Sequence, residues 1–133
     1  MSYLHSELPP IVLGTTDAER LSKLTDAAAN TFPATTEFLA REIERADIFP
    51  DDQLSRHVVR MGSVVTFRDD ASAQTREVTL VFPDSADIAA GKISVLTPIG
   101  AALIGLSVGQ TIEFRTPAGG LRSLTVLKVH QPD

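Results

Sequence analysis

Seventeen carboxylates, three histidines and no cysteine bound the chemistry open to this 133-residue chain. Without cysteine there is no disulfide, no thiolate nucleophile and no cysteine-based zinc or iron–sulfur site. His5, His57 and His130 lie far apart in the sequence, and none has a second histidine at ligand spacing. They read as surface histidines. Asp51-Asp52 and Asp84 with Asp87 are the pairings closest to a divalent-cation loop. A hard cation takes about six to eight oxygens, so these acids are expected to stay solvated or to cap the next element. Gly100-Ala101-Ala102-Leu103-Ile104-Gly105 has the glycine spacing of a phosphate-binding loop. The next residue, however, is Leu106, where a lysine must meet the phosphate. No catalytic residue, metal or cofactor is expected.

The mostly apolar run Ile93 to Gly109 holds no cysteine, carboxylate or histidine, and so no activated nucleophile. It reads as a short strand, a sharply capped helical turn and a glycine turn into the strand Thr111-Ile112-Glu113-Phe114. Thr97 suits the N-cap, because its hydroxyl can accept from an unpaired first-turn amide. Pro98 suits the first helical position, where no amide is needed. Gly105 can end the helix with positive φ. Such a run looks made to dock rather than to react.

Around it the pattern divides in two. Ile11-Val12-Leu13 reads as an edge strand or staple. Thr16 and Glu19 have the spacing of a capping box, followed by Leu21, Leu24 and Ala28 on one helical face. Asn30-Thr31-Phe32-Pro33-Ala34 breaks that helix, since Pro33 disfavours a helical Phe32. A second helix is expected from Thr35 or Thr36, with Leu39, Ile43 and Ala46 on one face. Each helix should run ~12–13 residues, or roughly 18–20 Å, giving an antiparallel helical hairpin. Ile48-Phe49-Pro50-Asp51-Asp52 reads as a linker. Beyond it come strands over Val58 to Arg68 and Glu77 to Phe82, with a turn at Asp69-Asp70-Ala71-Ser72. Pro83 to Asp87 reads as a loop, Pro117-Ala118-Gly119-Gly120 as a hairpin turn, and Leu124 to Val129 as the strand that closes the sheet. The expected fold is α+β: a hairpin in residues 1–53, then an antiparallel sheet with one short helix in residues 54–133.

Composition supports a packed domain. The hydrophobic share is 43%, with no Trp and only Tyr3, so the core must be aliphatic with Phe. Residues 1–53 carry four basic against ten acidic side chains, a net of −6; residues 54–133 carry eight against seven, a net of +1. A direct nucleic-acid grip needs a clustered positive surface, which this distribution does not offer. No signal peptide or membrane span is expected, and a cytoplasmic location fits.

Four segments in order are similar to one known family: Thr16-Asp17-Ala18-Glu19-Arg20-Leu21, Arg41-Glu42-Ile43-Glu44-Arg45-Ala46, Val58 through Phe67, and the capped run around Thr97-Pro98. The chain resembles the Gre transcript-cleavage factors in its C-terminal part. Over nearly its whole length it resembles the related regulators of nucleoside diphosphate kinase (Rnk). The resemblance implies a coiled-coil hairpin, an FKBP-like C-terminal domain and RNA polymerase as partner, bound as a monomer near the secondary channel. It also implies polymerase contacts at Leu96, Thr97 and Pro98, with Ser94 and Ile99 beside them. Gre factors place acidic side chains at the hairpin tip to hold magnesium and water. Here the tip, Asn30 to Thr35, has no acid, and the arm is short. Carboxylates are what would hold Mg²⁺ and orient water there, so transcript cleavage is not expected. Prolyl isomerisation, which the fold could suggest, needs an aromatic-walled pocket with Trp and Tyr. Phe67, Phe82 and Phe114 alternate as packing residues instead. The rival reading is an interaction module acting on another partner, such as nucleotide-kinase regulation.

Overall fold

The computed structural model describes residues 8–116 and 118–132. Tyr3, His5 and Pro117 of the readings above lie outside the described residues. Strand β1 (Val12–Gly14) runs directly into α1 (Thr15–Ala28), and a tight turn leads to α2 (Pro33–Arg45). Two helices of 14 and 13 residues return the chain beside its starting point. There Asp47–Phe49 forms β2, parallel to β1, with the Asp47 amide donating to the Ile11 carbonyl at 3.0 Å. Ile48 and Phe49, expected as linker, are therefore strand. Nearly equal helix lengths bring two backbone segments together, and each satisfies the other's polar groups.

Both helices bury the faces expected of them. Leu21 and Leu39 are fully buried, Ala28 nearly so, and Leu24, Ile43 and Ala46 pack at the margin. Helix α2 starts at Pro33, two residues before the expected Thr35, because proline at the first helical position gives up no hydrogen bond. The capping box does not form. Helix α1 begins at Thr15 after Gly14, so Thr16 already lies inside it and its hydroxyl has no cap position. The carboxylate of Asp51 takes over: it accepts from the Thr16 amide at 3.1 Å and from the Thr16 hydroxyl. Gly14 makes room, since a Cβ there would come within 2.5 Å of Asp51 Oδ1.

The second half is a five-stranded sheet in the order β5-β4-β3-β7-β6. Its strands are β3 (Val64–Asp69), β4 (Gln74–Val81), β5 (Lys92–Ser94), β6 (Thr111–Arg115) and β7 (Leu121–His130), with helix α3 (Pro98–Leu103) between β5 and β6. Val58 and Val59, expected in the first strand, precede it. Two expectations are corrected. β5 runs parallel to β4, because the segment 82–91 crosses over rather than making a hairpin, so the sheet is mixed. β7 does not close the sheet but lies inside it, paired with both β3 and β6. A bulge between Thr66 and Phe67 of β3 leaves Leu127 of β7 without an opposite residue, which accounts for its exposure.

Val65, Phe67, Leu80, Ile112, Phe114 and Val126 fill the inner sheet face. Leu21 and Leu39 belong to the same buried cluster. A two-helix hairpin cannot enclose a leucine completely, so their full burial requires the third layer that the sheet and α3 provide. The hairpin lies against the sheet half rather than standing clear of it.

Candidate docking segment and hairpin tip

The capped turn forms as expected. The Thr97 hydroxyl accepts from the Gly100 amide at 3.0 Å and donates to the Ser94 carbonyl at 2.7 Å. The Thr97 amide donates to the same carbonyl at 3.0 Å, and Ser94 Oγ accepts from the Leu96 amide at 3.0 Å. Two side-chain oxygens thus fix the bend between β5 and α3. Gly100 is required by the closeness of that bend, since a Cβ there would sit 2.2 Å from the Ser94 carbonyl oxygen. Gly105, at φ +80, turns the chain toward β1, and its carbonyl accepts from the Val12 amide at 3.1 Å. Packing and turn geometry explain both glycines of the phosphate-loop-like spacing.

Most of the apolar run is core, not surface. Val95 and Ala101 through Ile104 are fully buried, and Leu96 is 7% exposed. Of the five residues taken from the resemblance, Ser94, Thr97, Pro98 and Ile99 are partly exposed, and Leu96 turns inward. The reason is that α3 has six residues and packs beside both β6 and α2. The bend and the first turn of α3 stay partly open, as does Val108 at the far end of the run, 39% exposed.

At the other end of the molecule, Ala29 through Ala34 are exposed, with Phe32 at 47%. The Phe32 amide donates to the Ala28 carbonyl at 2.9 Å, and the Phe32 carbonyl accepts from the Thr36 amide and hydroxyl at 2.9 and 2.8 Å. The turn is therefore ordered, and it carries no carboxylate. Asp26 and Glu37 sit a turn below it and line a shallow groove together with Thr25, Ala29, Thr36 and Ala40. Glu37 is tied up in an ion pair with Arg41. His57 and His130 are exposed, and no cluster of three or more metal-ligand side chains exists among the described residues.

The base of the hairpin is built differently. Asp17 accepts from the Met61 amide at 3.0 Å. Burial pushes its carboxyl above the ordinary range, against the Met61 bond and the nearby Arg60 charge, which pull it down. Asp51, bonded twice by Thr16, is held below that range. Glu42, 1% exposed, forms a two-pronged pair with Arg45 at 2.6 and 2.8 Å, and Arg45 also donates to the Pro9 carbonyl. Sequence reasoning missed this latch, although Glu42 and Arg45 at i,i+3 on a face shared with Leu39 were a readable signal.

Comparison with known proteins converges on one family. Residues 54–131 match the model of the transcription elongation factor GreA/GreB C-terminal region, and residues 9–48 match that of the Rnk N-terminus. The regulator of nucleoside diphosphate kinase from Escherichia coli K12 is 34% identical over 126 residues, covering 94% of this chain and 93% of that protein. The chain belongs to the Rnk family. GreA of Rhodospirillum rubrum is 41% identical over 75 residues, but this stretch spans only 56% of the present chain and 48% of GreA. The likeness to GreA is thus partial, whereas the Rnk match is end to end. A solved GreA/GreB elongation factor from Nitrosomonas europaea shares the fold, with TM-score 0.72, 37% identity and coverage of 92% of this chain and 98% of its own. The fold is mixed α+β of the GreA/GreB kind, and the relatives carry the names of regulators and elongation factors.

Proposed function

We propose that the chain binds RNA polymerase near its secondary channel and competes there with cleavage-type Gre factors without stimulating transcript cleavage. The observation that carries this reading is the hairpin tip. It is an ordered, exposed turn with Phe32 outward and no carboxylate from Asn30 to Thr35. Without carboxylates a tip has nothing to hold magnesium or to orient an attacking water. The likeness to Gre elongation factors supports polymerase as the partner, as the resemblance implies. On this reading residues 54–133 form an FKBP-like docking half and residues 1–53 a short coiled-coil arm. The protein is a cytoplasmic monomer and not an enzyme.

The docking surface is the bend at Ser94, Thr97, Pro98 and Ile99, with Leu96 as the buried support beneath it. Thr97 is a poor residue to test, because its hydroxyl holds the bend. Pro98 is the better one: the first helical position needs no amide bond, so an arginine there changes the surface and spares the turn. Pro98→Arg should abolish co-purification with core RNA polymerase while leaving the circular dichroism spectrum unchanged. Retained binding removes the bend from the interface.

The name of the Escherichia coli relative favours a second reading, in which the partner belongs to nucleoside diphosphate kinase regulation. Co-purification with that kinase, and none with polymerase, selects it.

A further inference from the structure

Between β4 and β5 the chain makes two short 3-10 turns, Pro83–Ser85 and Ile88–Ala90. At the crest of the second, Ile88 is 88% exposed, the largest value among the exposed large hydrophobic side chains. A single wetted apolar side chain is common on protein surfaces, so exposure alone carries nothing. Three further observations do.

The first is rigidity. The Asp87 amide donates to the Lys92 carbonyl and the Lys92 amide to the Asp87 carbonyl, both at 2.9 Å. The Ala90 amide reaches the Asp87 carbonyl at 3.0 Å and its carboxylate at 3.3 Å, and the Gly91 amide reaches the Ile88 carbonyl at 3.0 Å. The loop is fixed entirely by backbone and Asp87, and the Ile88 side chain has no part in holding it. A turn whose backbone is already ordered loses little backbone entropy on contact.

The second is position. Asp87 bridges to Lys92, the first residue of β5, and the Thr97 amide bonds to the carbonyl of Ser94, its last residue. The turn and the Thr97-Pro98 bend therefore flank the two ends of one three-residue edge strand. That strand is about 10 Å long at ~3.3 Å per residue. A standard interface covers about 800 Å² on each partner, enough to include both ends. The third is charge. Asp84 and Asp87 lie in the loop, Lys92 pairs with Asp87 through the backbone, and the Arg20 guanidinium sits over Phe82, so Ile88 has charged neighbours of both signs, the setting of an apolar anchor within a polar rim.

We propose that the Ile88 turn is the second half of the polymerase interface, inserting Ile88 into an apolar pocket with a polar rim on the polymerase. This rests on the polymerase reading above and names a contact that reading lacks.

The test is equilibrium binding of the full chain to core RNA polymerase. Ile88→Ser should weaken binding by about tenfold or more, as expected for a central apolar anchor, and Ile88→Leu should restore most of it. Leu121→Ser is the control: Leu121 is also exposed, at 62%, but pairs with β6 at the opposite sheet edge, so its loss should leave affinity unchanged. Unchanged affinity of Ile88→Ser, with Pro98→Arg still disruptive, overturns the Ile88 contact and leaves the docking bend standing. Equal weakening by Ile88→Ser and Leu121→Ser also overturns it, since that is general stickiness. A wild-type chain that does not bind polymerase overturns both.

Discussion

The base and the tip of the same helical hairpin are built on opposite principles. At the base three carboxylates are engaged: Asp51 by Thr16, Asp17 by the Met61 amide, and Glu42 by Arg45. At the tip there are no carboxylates, and the side chains of Phe32, Pro33 and Ala34 face solvent. Those three carboxylates tie the base of the arm in place, and the residues of the turn at its end carry none. On the proposed reading, such an arm would occupy space rather than assemble a metal site.

Substitutions along the arm should separate its two ends. The largest effect belongs to Leu39, fully buried where α2 meets the rest of the core. Leu39→Ala should cost about 3–4 kcal/mol, from lost transfer free energy and the cavity left behind, measured by urea unfolding. Next is the latch: Arg45→Met strands the buried Glu42 carboxylate and should cost about 3 kcal/mol, whereas an exposed pair would cost almost nothing. Thr97→Ala removes a local cap and should cost about 1 kcal/mol. At the tip, Phe32→Ala should change stability by less than about 0.5 kcal/mol. A tip variant as damaging as Leu39→Ala would collapse the distinction between the two ends.

Acid should act at the base as well. Asp51 is held low in the folded state. Its contribution is complete above the unfolded carboxylate value of about 3.9 and is lost as pH falls through the lowered folded value. Asp17 is held high, so it favours the folded state when protonated and disfavours it once pH rises through its folded value. Asp51→Asn should lower the melting temperature at pH 7 and flatten its fall below pH ~4. Asp17→Asn should hold or raise the melting temperature at pH 7, because asparagine keeps an acceptor for the Met61 amide without a buried charge. Thermal melts from pH 7 to pH 2 read both.

What could be read from the sequence was what is local. Thr97, Pro98 and Gly100 lie within four residues of one another, and the cap they form was legible from spacing alone. The apolar faces of both helices were equally plain, since Leu21 and Leu39 sit at helical period with their neighbours. The cap of α1 was not legible, because its acceptor, Asp51, lies 35 residues from Thr16. The same is true of Ile48 and Phe49, whose strand exists only once the hairpin has returned to Val12, and of β7, whose two partners decide that it lies inside the sheet. In the candidate site the bend was readable and its exposure was not: Leu96 and Thr97 are neighbours of similar hydrophobic context, and only packing turns one inward. The Glu42–Arg45 latch was readable as a pair but not as a buried one.

The most direct test of the whole account is a competition experiment on stalled elongation complexes. Core RNA polymerase is loaded with a cleavage-type Gre factor and titrated with this chain, following factor release and transcript cleavage together. The Gre factor should be displaced and cleavage should fall to the factor-free rate. Simultaneous binding of both proteins, or cleavage stimulated by this chain alone, would contradict it.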